Sequence, residues 1–373
     1  MKKTMRRALG AALAFVMTAG LLSGCGGEAD PIREAFDGKY TKDTVMMTVN
    51  GDNVTAGDLF FWIAQNADYI SGYYSQMGVE LDWSEDMGDG TTMGDYLKEQ
   101  AKSSAVLYHV VREQAQDQGY EMTEEDKEAY QAELDSAKEQ LGGDEEYANW
   151  LRTMLITDEG MEKLSSVGVL YTHLLEGTYL DGGEKAATGE EIVQYAEDND
   201  LLVAKHILLS NKDSQTGEAL SEEDAAAKKA KAEELLAQLQ GITDPKELEA
   251  KFDELMEANS EDSGLQNNPD GYVFTAGQMV EEFENAVRGL EFGQVSGVVE
   301  STHGYHIILR LSPADSDQIR EEWAKQQMDA QVQTWVDEAE VETTEDFNNL
   351  DVAEFYTALE TYRDTIEPKE ETP

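Results

Sequence analysis

Two histidines lie near the middle of two apolar segments, 100 positions apart along the chain. His206 belongs to the segment 201–209, and His306 belongs to the segment 304–311. Both segments are short and rich in branched side chains, which predicts buried strands. Side chains alternate between the two faces of a strand, so the two imidazoles can meet on one face if the strands are neighbours. The pattern predicts a small polar network on one face of a sheet.

A third histidine, His303, raises the question of a metal site, because zinc is commonly held by several histidine or cysteine side chains. Residues three apart on a strand point to opposite faces, and His303 is expected in the turn before the strand of His306. We therefore predict neither a metal nor a cofactor. The sequence also has no Walker motif, nucleophile elbow or Rossmann glycine pattern, which removes the commoner enzyme classes.

The chain of 373 residues has 28 Lys+Arg against 78 Asp+Glu, a formal net charge of −50. This balance excludes nucleic acid as a general partner, since binding to a phosphate backbone requires basic side chains. The same charge resists aggregation and repels anionic surfaces. It suits a protein that handles aggregation-prone clients, and it equally suits an acidic surface with no specific role.

The N-terminal segment 1–24 has the pattern of an export signal. A basic start is followed by the uncharged, mostly apolar segment 8–22, which is shorter than the ~20 residues that a spanning helix needs. It leads into Leu-Ser-Gly-Cys, ending at Cys25, which resembles a bacterial lipobox; an ordinary signal peptide is the alternative. The resemblance implies an acylated Cys25 that anchors the mature protein to a lipid membrane. Cys25 is the only cysteine, so the chain has no internal disulfide.

The stretch 201–311 resembles the parvulin family of peptidyl-prolyl cis/trans isomerases. The matching segments come in the family's order and are 205–208 for the first strand, Met279 and Phe283 before a short helix, 293–296 for the third strand, and 304–308 for the last. The resemblance implies an α+β fold, in which a four-stranded antiparallel sheet with surrounding helices spans residues 200–313.

The same resemblance implies a set of catalytic residues. It carries His206 and His306 onto the paired histidines of the family and Asp262 onto a position that holds Cys or Asp. It carries Ser301 onto a Ser or Thr position near the second histidine. Asp262 could then accept a hydrogen bond from the histidine pair or polarise the substrate amide.

Isomerisation of an X–Pro bond must cross a rotational barrier of about 18–20 kcal/mol. No covalent bond to the substrate is needed; the enzyme must hold the proline ring in an apolar slot, remove water and favour the twisted amide. The resemblance implies substrate-binding walls at Phe274, Met279 and Phe283, with ordinary core packing as the alternative. The segment 268–274 departs from the usual Gly-Gly-Asp-Leu-Gly-aromatic-Phe of the family.

Helical patterns dominate both flanks of the parvulin-like stretch. A Val-Asn-Gly-Asp turn at 49–52, followed by a helix, resembles the N-terminal chaperone segment of PrsA-type and SurA-type foldases. We predict a parvulin-like domain inserted into a mainly helical chaperone-like domain. The predicted segments are a signal peptide at 1–24, a tether at 25–43, an N-terminal helical part at 44–199, the isomerase domain at 200–313, C-terminal helices at 314–367 that complete the chaperone-like domain, and a disordered tail at 368–373.

These features predict a foldase at the extracytoplasmic face of the bacterial cell membrane, anchored through Cys25. It would isomerise X–Pro bonds in exported proteins and hold unfolded clients, and it could form a homodimer. The alternative is a non-catalytic, peptide-binding holdase lipoprotein with a degenerate parvulin domain. Activity on a short X–Pro peptide distinguishes the two.

Overall fold

A computed structural model describes residues 30–366 except 80, 89, 214 and 215. The predicted signal peptide, Cys25 and the tail at 368–373 lie outside the described residues. The chain divides into two compact units. We call Met1–Gly177 with Met328–Pro373 the split unit, and Thr178–Gln327 the central unit.

The described helices and strands are numbered here in chain order. The helices are α1 Pro31–Ala35, α2 Ala56–Gln76, α3 Met93–Asp117, α4 Glu124–Leu141, α5 Asp144–Thr153, α6 Asp158–Tyr179, α7 Gly189–Asp198, α8 Glu222–Leu239, α9 Pro245–Asn259, α10 Glu281–Arg288, α11 Asp317–Glu338, α12 Glu345–Asn348 and α13 Val352–Ile366. The strands are β1 Val45–Val49, β2 Asp52–Thr55, β3 Leu202–Ser210, β4 Tyr272–Phe274, β5 Val299–Ser301, β6 Gly304–Arg310 and β7 Val341–Thr343. Within this part of the chain, no helix is both long and apolar enough to cross a membrane.

Local side-chain caps fix where several helices begin. At the start of α4, the Thr123 side chain accepts from the Asp126 backbone N–H, and the Asp126 carboxylate accepts from the Thr123 backbone N–H. This reciprocal arrangement satisfies two backbone donors that a helix start otherwise leaves free. The same capping box begins α2 at Thr55 and α7 at Thr188.

In its described residues, the split unit has a large hydrophobic core built from both of its chain segments. The Phe60 ring on α2 lies 5.0 Å from the Phe355 ring on α13, edge to face. A small antiparallel sheet in the order β2-β1-β7 also joins the segments, because Met47 pairs with Thr343. The sequence patterns did not predict β7, which has only three residues and finds its partner far away along the chain.

The predicted tether at 25–43 is wrong for residues 30–43. Asp30 caps the short helix α1, and Ile32 is buried in the core of the split unit. The Phe36 and Tyr40 rings each lie 5.3 Å from the Phe60 ring. Burial of these apolar side chains offsets the polar composition that suggested a tether.

The central unit contains an antiparallel sheet in the order β4-β3-β6-β5. Helices α8 and α9 pack on one face, where they share an apolar cluster with Ile207 and Ile307. Helix α10 packs on the opposite face through Phe283, against Ile308 and Phe274. The chain thus has the predicted α+β fold with a four-stranded antiparallel sheet.

The third strand lies later in the chain than predicted. In the segment 293–296, Val295 makes only an isolated bridge to Leu309, and the strand is instead β5. The Ile308 backbone N–H donates to the Ser296 hydroxyl at 2.9 Å, so a side chain replaces a backbone partner at this edge. This side-chain hydrogen bond interrupts the regular ladder of backbone hydrogen bonds.

The central unit is longer at both ends than the predicted 200–313. Ile192 and Ala196 of α7 form a buried cluster with Val203 of β3 and Ile319 of α11. Residues before β3 and after β6 therefore belong to the core of the central unit. The apolar face of α7 needs this cover, because a short amphipathic helix gains most of its stability from packing.

Candidate active site

The two predicted histidines meet on the α10 face of the sheet. β3 and β6 are antiparallel neighbours, with His206 opposite Ile308 and Leu208 opposite His306. The imidazoles are therefore diagonal neighbours on one face. Their Nδ1 atoms lie 3.1 Å apart, and the two rings are stacked with centroids separated by 5.3 Å. Both side chains are buried.

Ser301 extends this network from the β5 side. Its hydroxyl lies 2.7 Å from Nε2 of His306 and accepts a hydrogen bond from the His303 backbone N–H at 3.0 Å. The tight turn between β5 and β6 requires Gly304, whose φ is +142°. A Cβ there would lie 2.2 Å from the Leu209 carbonyl oxygen, so any other residue would displace the turn that holds Ser301 beside His306.

Asp262 forms the other end of the network. It lies in the loop after α9, and its Oδ2 is 3.2 Å from Nε2 of His206. Its Oδ1 accepts from the Gly264 backbone N–H at 3.1 Å. The Tyr272 hydroxyl also donates to Oδ2 at 2.5 Å. The structure therefore brings together all four predicted catalytic residues, Ser301, His306, His206 and Asp262.

The sequence analysis did not single out Tyr272 as a site residue. Tyr272 pairs with Ala204 and Phe274 pairs with Leu202, so both β4 side chains lie on the face that carries His206. The Tyr272 and His206 rings are 5.6 Å apart, edge to face. The alternation of Tyr272 with Phe274 was a usable signal, because residues two apart on a strand share a face.

The network has one consistent direction of hydrogen bonding when both imidazoles are neutral. An ionised Asp262 only accepts, so Nε2 of His206 must carry the proton. Nδ1 of neutral His206 then accepts from Nδ1–H of His306, and Nε2 of His306 accepts from the Ser301 hydroxyl. Every donor in this hydrogen-bonded network has an acceptor, which is the condition for a stable buried polar network.

The pKa shifts of His306, Asp262 and Tyr272 agree with this assignment of protons. Burial is the main cause that lowers the pKa of His306 to about 4, and the nearby His206 contributes to the same shift. The hydrogen bond from His206 holds the pKa of Asp262 well below its usual range. Burial and the hydrogen bond to Asp262 raise the pKa of Tyr272 to about 12. At neutral pH, His306 is uncharged, Asp262 is ionised and Tyr272 keeps its proton.

Apolar side chains border the histidine pair. The Phe283 ring lies 5.2 Å from the His206 ring and 5.6 Å from the His306 ring, both edge to face. Phe274 is buried 5.8 Å from Phe283. Met279 belongs to the same cluster but is only half-buried, so a ligand can reach it. The three predicted wall residues lie together next to the network.

The third histidine, His303, raised the question of a metal site in the described part of the chain. No group of three or more His, Cys, Asp or Glu side chains there is arranged to hold a metal ion. His303 lies in the turn between β5 and β6. It touches the network through its backbone N–H, which binds Ser301.

Comparison with known proteins identifies the family. Residues 206–312 match the rotamase family, described as a PPIC-type PPIase domain. Over 261 residues, the chain is 32% identical to the foldase protein PrsA of Halalkalibacterium halodurans; the match covers 68% of this chain and 69% of that protein. The chain belongs to the PrsA foldase family. It is a peptidyl-prolyl cis-trans isomerase of the parvulin type.

Two further PrsA proteins are similar. The foldase protein PrsA of Oceanobacillus iheyensis is 29% identical over 233 residues, which are 58% of this chain and 65% of that protein. The crystal structure of PrsA from Bacillus subtilis is 21% identical, covers 79% of this chain and 93% of that chain, and gives a TM-score of 0.26.

In this PrsA-family enzyme, the candidate site combines apolar surface with hydrogen-bonding groups. The half-buried Met279 offers apolar surface for a proline ring beside the buried Phe283. The two imidazoles and the Ser301 hydroxyl offer polarisable hydrogen-bonding groups directly beside that surface. A twisted amide has lost its resonance, so its nitrogen and carbonyl have different hydrogen-bonding needs from those of the planar form. Such a site can favour the twisted form without covalent chemistry.

Proposed function

We propose that this protein is an extracytoplasmic foldase that isomerises X–Pro bonds in exported proteins, and that the network described above is its catalytic centre. The observation that carries the proposal is the unbroken chain from Ser301 through His306 and His206 to Asp262, covered by the Phe283 ring. A buried polar chain of this kind next to an apolar wall is suited to binding a proline amide away from water.

In the proposed mechanism, the proline ring rests on Met279 and Phe283, and the X–Pro amide faces the imidazoles. Asp262 orients His206 by accepting its Nε2–H. His206 in turn orients His306, and the fixed dipoles favour the twisted amide over the planar one. Because His306 is neutral at pH 7, the substrate meets a polar but uncharged surface.

The test compares two neighbouring carboxylates in the full mature chain. Asp262→Asn removes the charge at the end of the network, whereas Glu261→Gln removes a charge that binds Lys228 and the Ser210 backbone instead. We expect Asp262→Asn to lower kcat/KM for a short X–Pro peptide by roughly ten- to hundredfold, the equivalent of a charge-assisted hydrogen bond of about 1.5–3 kcal/mol. Glu261→Gln should stay within about twofold of wild type.

Equal losses of kcat/KM in the two variants would mean that Asp262 is not part of the catalytic centre. If the folded wild-type protein gives no rate above the uncatalysed reaction, the alternative applies, and the parvulin domain only binds peptide. The melting temperature of each variant separates a loss of folding from a loss of catalysis.

We propose anchoring through an acylated Cys25 at the extracytoplasmic face of the cell membrane. The proposal rests on the lipobox-like sequence and on the absence of any other cysteine. Cys25→Ser should abolish incorporation of labelled fatty acid and move the protein out of the membrane fraction. Because the chain has no second thiol, persistent labelling of the variant would contradict the proposal directly. Sedimentation of the mature chain tests the predicted homodimer.

The split unit is proposed to act as a holdase for unfolded clients. Its helices carry exposed apolar side chains, described below, that a folded globular unit does not need for its own core. The mature protein should slow the aggregation of a denatured client at equimolar concentration. It should do so equally well when Asp262→Asn has lowered isomerase activity, because holding requires binding but no rotation.

A further inference from the structure

Helix α2 ends in an exposed stripe of large apolar side chains. Tyr69 is 78% exposed and Tyr73 is 56% exposed, and Met77, directly after the helix, is 52% exposed. Residues four apart share one face of a helix, and eight residues rise by about 12 Å. We call these three side chains the α2 stripe. The first half of α2, in contrast, is buried.

Exposed apolar side chains concentrate in this region. Of the eight large hydrophobic side chains that are exposed in the described residues, six lie between positions 69 and 96. They are the α2 stripe together with Val79, Met87 and Tyr96, and the other two are Phe292 and Val341. Single exposed apolar residues are ordinary, but a concentration of them marks a surface that binds something.

Acidic residues predominate in the sequence around the stripe, and Arg363 of α13 is paired with Asp68, next to Tyr69, at 2.7 Å. The sequence contains no Lys or Arg between Lys42 and Lys98. Asp82, Glu85 and Asp86 are exposed in the loop that follows α2. Lys98 points away into the protein, where its side chain is 12% exposed and its ammonium donates to the Leu350 carbonyl at 3.2 Å.

This combination of aromatic side chains and negative charge selects among possible occupants. An anionic membrane surface or a second copy of this chain, with its formal charge of −50, would be repelled. A polypeptide segment with lysines or arginines beside apolar residues would be attracted, because cations are also favoured over the faces of tyrosine rings.

We propose that the α2 stripe binds non-native client segments in which aromatic or aliphatic residues are flanked by Lys or Arg. The inference rests on the proposed holdase function. It adds the surface that binds the client and the kind of client sequence that this surface prefers. The apolar core of the client segment packs on Tyr69, Tyr73 and Met77. The flanking cations face the acidic loop at 82–86.

The preference is tested with three short, fluorescently labelled peptides that share one Leu/Phe core and carry flanking lysines, serines or glutamates. The mature chain should bind the lysine-flanked peptide most tightly and the glutamate-flanked peptide most weakly in fluorescence anisotropy. Raised salt should weaken only the lysine-flanked complex substantially. Equal affinity for all three peptides, or a preference for glutamate, would overturn the charge selection.

The location is tested with the triple variant Tyr69→Ser/Tyr73→Ser/Met77→Ser. We expect binding of the lysine-flanked peptide to weaken by at least about tenfold, since aromatic side chains commonly dominate such contacts. Phe292→Ser is the matched control, because it removes an exposed aromatic ring from the central unit; its effect should stay within about twofold. The exposed stripe positions are outside the core, so the melting temperatures should match wild type.

The outcomes separate this inference from the proposed function. If the wild-type protein binds no peptide and slows no aggregation, the holdase function itself is wrong. If wild type binds and the triple variant binds equally well, only the assignment to the α2 stripe is wrong. A triple variant that binds peptide normally but changes its sedimentation would show that the stripe is a contact between copies of the chain.

Discussion

The two faces of the central sheet use the same strands in different ways. On the face toward α8 and α9, Ile207 and Leu209 of β3 join an apolar cluster with Phe252. On the face toward α10, His206 of the same strand joins a chain of hydrogen bonds bordered by Phe283. The first face holds the fold together, and the second face holds the proposed catalytic groups on that rigid support.

The neighbours Lys205 and His206 show the difference most directly. Both are buried, with 4% and 9% of their surface exposed, and they point to opposite faces. The Lys205 ammonium lies 2.9 Å from both Glu249 and Asp253, and these hydrogen bonds raise its pKa although burial acts to lower it. A buried charge on the structural face is thus neutralised locally. On the face of the proposed catalytic centre, the buried His306 is uncharged at neutral pH, so it needs no such ion pair.

The largest expected effect comes from removing one ring on each face. Phe252→Ala and Phe283→Ala should each lower the free energy of unfolding by about 3–5 kcal/mol, because both side chains are nearly fully buried. Only Phe283→Ala should also lower kcat/KM per folded molecule, since its ring contacts both imidazoles. Denaturant unfolding gives the stability, and peptide kinetics corrected for the folded fraction give the activity. An equal loss of corrected activity in Phe252→Ala would mean that the two faces are not separable.

Alternation along the strands explains how far the sequence could predict this arrangement. The positions of His206 and His306 in two apolar segments predicted that the imidazoles meet on one face if the two strands are neighbours, because the period of a strand is two. The caps of α4 and α7 were also predictable, because each depends on two residues only three apart in the sequence.

Features that depend on distant partners were not predictable. β7 forms only because Val341 finds Val49, and no local pattern encodes that pairing. Ile32 and Tyr40 are buried only because α2 and α13 provide a surface for them. Tyr272 became a site residue because the loop after α9 carries Asp262 to it, and loop geometry is not written in hydrophobic periodicity.

As the pH falls, acid should affect the sheet face toward α10 at a higher pH than the face toward α8 and α9. His306 has an ordinary pKa of 6.5, which falls to about 4 in the folded protein. Between these values the unfolded chain binds a proton that the folded chain does not, so stability is complete above pH 6.5 and is lost as the pH falls toward 4. A difference of this size corresponds to a loss of up to about 3 kcal/mol. Denaturant unfolding across this range measures it.

The control for the acid effect is His306→Asn, which removes the titrating ring. Its stability should depend less steeply on pH between 6.5 and 4. Asp262 contributes stability that is lost only at lower pH, because its pKa lies below the usual carboxyl range in the folded protein. Lys205 stays protonated throughout, since its pKa is raised. An unchanged slope in His306→Asn would mean that the acid loss originates elsewhere.

The smallest expected effect sharpens the comparison, because the same chemical change can be made on each face. Tyr272→Phe removes the hydroxyl that donates to Asp262, whereas Tyr305→Phe removes a hydroxyl on the α8 face. Losing one hydrogen bond to the Asp262 carboxylate should raise the activation free energy by about 1 kcal/mol. We therefore expect kcat/KM to fall by about fivefold in Tyr272→Phe and to stay unchanged in Tyr305→Phe. The same change should raise the pKa of Asp262, because a hydrogen bond that favours its charged form is lost. NMR titration of that carboxyl group measures the shift. A fall in activity without the shift would mean that Tyr272 acts by shaping the pocket rather than through Asp262.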